Sequence, residues 1–97
     1  MRMMVTISVP VQKGSEGIKN GALPRVVQST LEKIKPECAY FYLEGGRRTM
    51  RAVFNMLNEN DMVGAFEPVL MELDADIVLT PVMTAPELEA GFKALMR

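Results

Sequence analysis

Residues 38–56 read CAYFYLEGGRRTMRAVFNM, and they decide the fold because two alternating segments flank Gly45-Gly46. Both glycines adopt positive φ freely, as the tight turns of β-hairpins require. With these glycines as the loop, Tyr40 lies opposite Arg51, and the alternation gives the hairpin one apolar face. That face contains Ala39, Phe41, Leu43, Met50, Ala52 and Phe54, with Arg48 at its rim. The turn and the hydrophobic pattern therefore predict the same register.

The opposite face of the hairpin mixes aromatic, charged and polar side chains. It contains Tyr40, Tyr42, Glu44, Arg47, Thr49, Arg51, Val53 and Asn55. Such a face is too apolar to be fully solvated and too polar for an ordinary core. A large exposed patch of this kind often marks an interface or a ligand site.

Upstream of the hairpin, the sequence predicts one strand and one helix. Residues 3–11 alternate between apolar and polar positions, which is typical of a half-buried strand. Residues 12–22 contain three glycines and predict a loop that could include a short helical turn. Pro24 suits the first turn of a helix, and Pro36 ends that helix at Lys35.

Downstream, the pattern predicts a helix, a strand and a final helix. Asp61 is the expected N-cap of a helix that reaches Leu73 and contains Pro68. Residues 77–83 predict a strand, in which Pro81 favours an edge position. Thr84 and Glu87 have the spacing of a capping box and begin the last, amphipathic helix.

This order of elements predicts an α+β fold in a single domain over residues 1–97. It is a ferredoxin-like βαββαβ sandwich with an extra C-terminal helix, in which helices cover one face of a four-stranded antiparallel sheet. The other face, which includes Thr6 and Ser8 of the first strand, is left open. Pairing two such faces in a homodimer, as in a dimeric α/β barrel, would bury it.

Composition excludes several kinds of chemistry. The chain has no histidine and one cysteine, Cys38, so the commonest general base and a multi-thiolate zinc site are both lacking. We therefore expect no bound metal and no cofactor, and a buried or half-buried structural role for the Cys38 thiol. A single cysteine favours the cytoplasm, and no apolar run approaches the about 20 residues of a membrane helix.

Charge is unevenly distributed along the chain. Residues 1–51 contain nine lysines and arginines against four acidic residues, whereas residues 52–97 contain two against eight. Such asymmetry can mark a nucleic-acid surface. We expect instead that the two halves interleave in space and that the protein does not bind nucleic acid, because the basic-glycine-aromatic signature of RNA-recognition sheets is missing.

Several short motifs together resemble those of a family of small uncharacterised bacterial proteins. They are Ile18–Pro24, Ala39-Tyr40-Phe41, Gly46–Thr49, Glu67-Pro68 and Pro81-Val82-Met83 with Leu88. That family is similar to the dimeric α/β-barrel superfamily, which includes small oxygenases, isomerases and dehalogenating enzymes. The resemblance implies the fold and the dimer. It implies no reaction, and the histidine-dependent mechanism of some members cannot apply here.

The strongest candidate site lies on the open face. Arg51 could bind a carboxylate or phosphate, Tyr40 could donate to a carbonyl, and Asn55 could orient the ligand, with Thr6, Ser8 and Tyr42 lining the site. Alternatively, Arg51 stacks on Tyr40 or pairs with Glu44 across subunits.

Three interpretations of function stay open at this point. The chain is a homodimer that binds a small, partly apolar or anionic molecule between its sheets, a structural dimer without a cavity, or a cofactor-independent oxygenase- or isomerase-like enzyme. A polar, solvent-connected cavity would favour the first, and a dry interface the second.

Overall fold

The computed structural model describes residues 1–97 as four strands and four helices. In chain order these are β1 (Arg2–Val9), α1 (Val11–Asn20), α2 (Ala22–Ile34), β2 (Cys38–Glu44), β3 (Arg47–Asn55), α3 (Asp61–Leu73), β4 (Asp76–Pro81) and α4 (Ala85–Leu95). The strands form one antiparallel sheet in the order β2-β3-β1-β4. This arrangement confirms the ferredoxin-like α+β fold with an additional C-terminal helix.

The β2–β3 hairpin has the predicted register. Tyr40 pairs with Arg51 and Glu44 pairs with Arg47, while Gly45 and Gly46 adopt φ values of 58° and 78°. Positive φ at both loop positions is the conformation that the Gly-Gly sequence predicts.

The core lies between one face of the sheet and the helices. Alternate residues of β1 and β3 are buried there, together with residues of α2 and α3. The buried side chains from these elements are Met3, Val5, Ile7, Val9, Met50, Ala52, Phe54, Leu23, Val26, Ile34, Ala65, Phe66, Val69 and Leu73. The polar and aromatic face of the hairpin points away from the helices, as the alternation predicts.

The loop expected over residues 12–22 is wrong, because most of this segment forms α1. Tertiary packing overrides the low helix propensity of glycine, since α1 lies too close to its neighbours for larger residues. A Cβ atom at Gly14 would lie 2.8 Å from the Arg48 Nη1 atom, and one at Gly17 would lie 2.9 Å from the Leu23 Cβ atom. The third glycine, Gly21, ends the helix at φ 81°.

Pro68 lies inside α3, as expected, and its effect on hydrogen bonding is compensated. Proline has no N–H group to donate to the carbonyl four residues earlier, which here belongs to Gly64. The Lys33 ammonium of α2 donates to that carbonyl oxygen over 3.0 Å. The carbonyl left unpaired by Pro68 thereby forms a contact between α3 and α2.

The N-cap of α3 differs from the prediction. The cap residue is Asn60, and Asp61 is the first helical residue. The Asp61 carboxylate accepts a hydrogen bond from the Asn58 backbone N–H over 3.1 Å, so it stabilises the preceding loop.

The two edge strands contain Pro81, whose position is as expected, and Cys38, whose predicted burial is wrong. Pro81 lies in β4, which is an edge strand, so its missing N–H interrupts no internal ladder. Cys38 begins β2, the other edge strand, and is exposed rather than buried. None of the helices is both long and apolar enough to cross a bilayer.

The final helix, α4, begins at the predicted capping box. The Thr84 hydroxyl accepts from the Glu87 N–H over 3.4 Å, and the Glu87 carboxylate accepts from the Thr84 N–H over 2.8 Å. No residue of α4 is buried, and its apolar stripe of Leu88, Phe92 and Leu95 is 43%, 56% and 80% exposed.

The uneven charge distribution is neutralised in space. Four ion pairs join a basic residue of the first half of the chain to an acidic residue of the second half. They are Arg2–Glu87, Lys13–Asp74, Arg25–Glu72 and Arg47–Asp76. The two halves therefore interleave as expected.

Candidate functional site

Arg51 is the central charged group of the open sheet face. Its Nε atom donates to the Thr6 hydroxyl over 3.2 Å, because Thr6 is its direct partner on β1. Its guanidinium carbon lies 5.9 Å from the centre of the Tyr42 ring. Arg51 is exposed and forms no ion pair, so the two terminal nitrogens of the guanidinium remain available to a ligand.

Tyr42 is held over the sheet beside Arg51. Its cross-strand partner, Thr49, is only 4% exposed although it lies on the open face. The Tyr42 hydroxyl is buried and has no hydrogen-bond partner. A buried hydroxyl without a partner is unfavourable, so its position lowers the stability of the isolated chain.

Tyr40 and Ser8 lie on either side of this centre. Tyr40 is the cross-strand partner of Arg51, as predicted, and its side chain is 68% exposed. The ring near the guanidinium is nevertheless that of Tyr42. Ser8 lies beside Thr49 on one side and Asp76 on the other. The structure thus brings Arg51, Thr6, Tyr42, Tyr40 and Ser8 into one region.

Asn55 lies apart from that region. It is four residues beyond Arg51 on β3, which is about 13 Å along a strand. Its Oδ1 atom accepts a hydrogen bond from the Met1 ammonium over 2.9 Å.

The other arginines of the open face are paired, whereas Glu44 forms no ion pair. Arg47 donates to Asp76 over 3.1 Å, across the end of β1. At the opposite end of the sheet, Arg2 pairs with Glu37 and Glu87. These contacts leave Arg51 as the unpaired cation in the middle of the face.

The perturbed acid groups lie away from Arg51. Hydrogen bonds from the Thr84 backbone and side chain, together with the Arg2 charge, lower the pKa of Glu87. A hydrogen bond from Arg25 lowers the pKa of Glu72 on the outer side of α3. Both carboxyls therefore belong to ion pairs, with Arg2 and Arg25 respectively.

The structure contains an apolar cavity that the sequence analysis missed. It has a volume of about 370 Å³ and lies between the inner side of the hairpin and helices α2 and α3. Phe41 and Leu43 form part of its wall, and they are 57% and 72% exposed because the helices do not cover β2. The sequence contained one signal for this cavity: β2 has more apolar side chains than the helices can cover.

Clusters of acidic residues do not form a cation site. No group of three or more His, Cys, Asp or Glu side chains comes together. Asp74 and Asp76 instead pair with Lys13 and Arg47.

These features define the class of molecule: a ferredoxin-like α+β chain with helices on one sheet face and an arginine-tyrosine cluster on the other. Solved structures with this architecture are similar to it. The regulatory subunit of aspartate kinase from Thermus flavus has a TM-score of 0.55 and 24% identity over 82% of this chain and 50% of that subunit. The ligand-free form of the same subunit from Thermus thermophilus gives 0.54 and 22%, with the same coverage.

The comparisons establish the fold and leave the activity open. The chain spans half the length of these regulatory subunits. Neither a protein-family model nor a curated protein sequence matches it. The ferredoxin-like part of the resemblance inferred from the motifs is thereby confirmed.

Proposed function

We propose that the chain is a homodimer of the dimeric α/β-barrel kind that binds a small, partly apolar anion between its open sheet faces. Arg51 holds the anionic group, and Thr6, Ser8, Tyr40 and Tyr42 line the site. Asn55 contributes at the edge of the enclosed space. The proposed role is regulatory or ligand-sensing.

The unpaired Arg51 guanidinium carries this proposal. A guanidinium binds a carboxylate or phosphate through a two-pronged contact when its terminal nitrogens are free. Thr6 occupies only the Nε atom, and Tyr42 supports the guanidinium from the side. Both neighbours orient the group without neutralising it.

The dimer is supported by apolar surface that the single chain leaves exposed. Tyr40 and Val78 are both more than half exposed on the open face. The apolar stripe of α4 is also largely exposed in the single chain. Covering these surfaces with a second copy would remove them from water and supply favourable burial.

A regulatory role agrees with the structural neighbours, since both are regulatory subunits of aspartate kinase. One of them was solved in a ligand-free form. That likeness favours binding over catalysis for a chain of this architecture.

The dimer is tested by sedimentation equilibrium at micromolar concentration. The wild-type chain is expected to sediment as a dimer, and Val78→Asp as a folded monomer, because the substitution places a charge in the paired faces. Met71→Asp is the matched control, since Met71 is an exposed apolar residue of α3 on the helical side. A monomeric wild-type chain, or equal effects of the two substitutions, would refute the dimer.

The ligand is tested by native mass spectrometry of freshly purified protein. We expect a co-purifying small anion that is lost in Arg51→Ala while the dimer persists. If Arg51→Ala instead weakens the dimer and no molecule co-purifies, Arg51 serves the interface and the ligand site is refuted.

A further inference from the structure

The apolar cavity behind the hairpin has the size and composition of a ligand site. Its volume is about 370 Å³, within the range of about 300–1,000 Å³ that is typical of small-molecule pockets. Eleven of its 14 lining residues are hydrophobic. Its walls come from β1, β2, β3, α2 and α3, and include the buried core residues Met50, Val69 and Leu73.

Arg48 is the only charged residue that lines this cavity. It occupies the inner face of β3, opposite Leu43 and Val9, and therefore points toward the helices. Its side chain is half-buried, forms no salt bridge, and donates only a long hydrogen bond of 3.5 Å to the Ser15 hydroxyl. A half-buried guanidinium without an anion beside it is electrostatically incomplete, because burial weakens its hydration.

Gly14 makes room for this guanidinium. A Cβ atom at position 14 would lie 2.8 Å from Arg48 Nη1 and 3.3 Å from Arg48 Cδ. The glycine carries a helix-propensity cost of up to about 1 kcal/mol relative to alanine. Helix α1 is therefore shaped to hold the Arg48 side chain along the cavity.

We propose that this cavity is a second binding site, for a small amphiphilic anion with an apolar aliphatic or aromatic body and one carboxylate. The apolar body occupies the space between the hairpin and α2, and the carboxylate pairs with Arg48. The site belongs to the single chain, and although Tyr42 and Thr49 also line it, Arg48 and the apolar wall lie on the opposite side of the sheet from Arg51. It therefore does not depend on the dimer or on the open-face ligand.

The probes are octanoate and 2-naphthoate, with octan-1-ol and octylamine as matched molecules without the negative charge. Binding is followed by NMR of protein labelled with ¹³C at the methionine methyl groups. Met50 lines the cavity, whereas Met62 lines a separate cavity beside α3. We expect the carboxylates to shift the Met50 methyl signal saturably, to leave Met62 unchanged, and to bind more tightly than octylamine.

The role of Arg48 is tested by Arg48→Met, with Arg47→Met as control. Arg47 precedes it on the same strand but points to the open face. We expect Arg48→Met to weaken octanoate binding about tenfold or more and to leave octan-1-ol unchanged, as for loss of a charge-assisted contact. Arg47→Met and Arg51→Met are expected to retain octanoate binding.

Gly14→Ala provides a second variant that leaves the arginine in place. The new methyl group displaces the guanidinium, so octanoate binding weakens while the fold, checked by circular dichroism, is kept. The proposal is overturned if neither carboxylate shifts Met50, or if Arg48→Met weakens octanoate and octan-1-ol equally. The proposal would also be overturned if Arg51→Met alone abolished octanoate binding, because that result would assign the anion to the open face.

Discussion

The two faces of the sheet are made by the same strands but differ in how far the rest of the chain covers them. On β1, Val5 is fully buried and Ile7 is 5% exposed, whereas Thr6 and Ser8, which alternate with them, remain partly exposed. Helices cover the first face over β1 and β3, although Phe41 and Leu43 of β2 stay exposed. The second face keeps an unpaired cation, an unpaired buried hydroxyl and exposed apolar side chains. This contrast shows that packing within the chain satisfies the first face far more fully than the second.

The largest expected effect is a difference in the free energy of unfolding between substitutions at two neighbouring positions of β1, one on each face. Ile7→Ala should lower the free energy of unfolding by about 2–5 kcal/mol, because it leaves a cavity in the core. Ser8→Ala should change it by no more than about 0.5 kcal/mol. Urea unfolding of the two variants measures both values. Comparable losses would show that the open face is as tightly packed as the covered one.

Tyr42→Phe tests whether the open face is complete in the single chain. Removing a buried hydroxyl without a partner should raise the free energy of unfolding by about 1 kcal/mol. The measurement is urea unfolding at a protein concentration low enough to keep the chain monomeric. Tyr40→Phe is the control, since that hydroxyl is exposed and should have little effect. A destabilised Tyr42→Phe would mean that the hydroxyl is already satisfied.

The smallest expected effect is on the acid stability of the protein, through the Arg25–Glu72 ion pair on the outer surface of the helices. Arg25 donates to Glu72 over 2.6 Å and lowers the pKa of this carboxyl below its ordinary value of 4.5. A lowered folded-state pKa adds stability above pH 4.5, and this stability is lost as the pH falls through the folded-state value. Glu72→Gln should therefore flatten the acid limb of a stability-pH profile slightly, since the pair is exposed.

The partner variant checks the origin of that slope. Arg25→Gln should flatten the profile to the same extent, and the double variant should add nothing further. Independent, additive changes would show that the two side chains do not act as a pair.

The hairpin and α1 show how much of the fold the sequence could predict. The register of Tyr40 against Arg51 follows from local rules, because the Gly-Gly turn and the alternation act over adjacent residues. Helix α1 does not, since Gly14 and Gly17 disfavour a helix locally and are required by close contacts, Gly14 with Arg48 of β3 and Gly17 with Leu23 at the start of α2. The spacing of three between these glycines, before Gly21 as terminator, is the signal that would have indicated a close-packed helix.

The same distinction applies to the candidate sites. Strand parity alone placed Arg51, Thr6 and Tyr42 on one face, and the structure brings them together. The cavity beside Arg48 depends on where α2 and α3 lie across the sheet. That lateral position is set by packing between helices, including the Lys33 contact with the Gly64 carbonyl, and no local pattern encodes it.

The unburied state of α4 has a consequence for amide hydrogen exchange. A helix of 11 residues with no buried side chain is only marginally stable in water, so its amides are expected to open by local unfolding. In the proposed dimer, a second subunit that covers Leu88 and Phe92 would protect the same amides. The exchange rate of this one helix thus reports directly on whether the chain is alone or assembled.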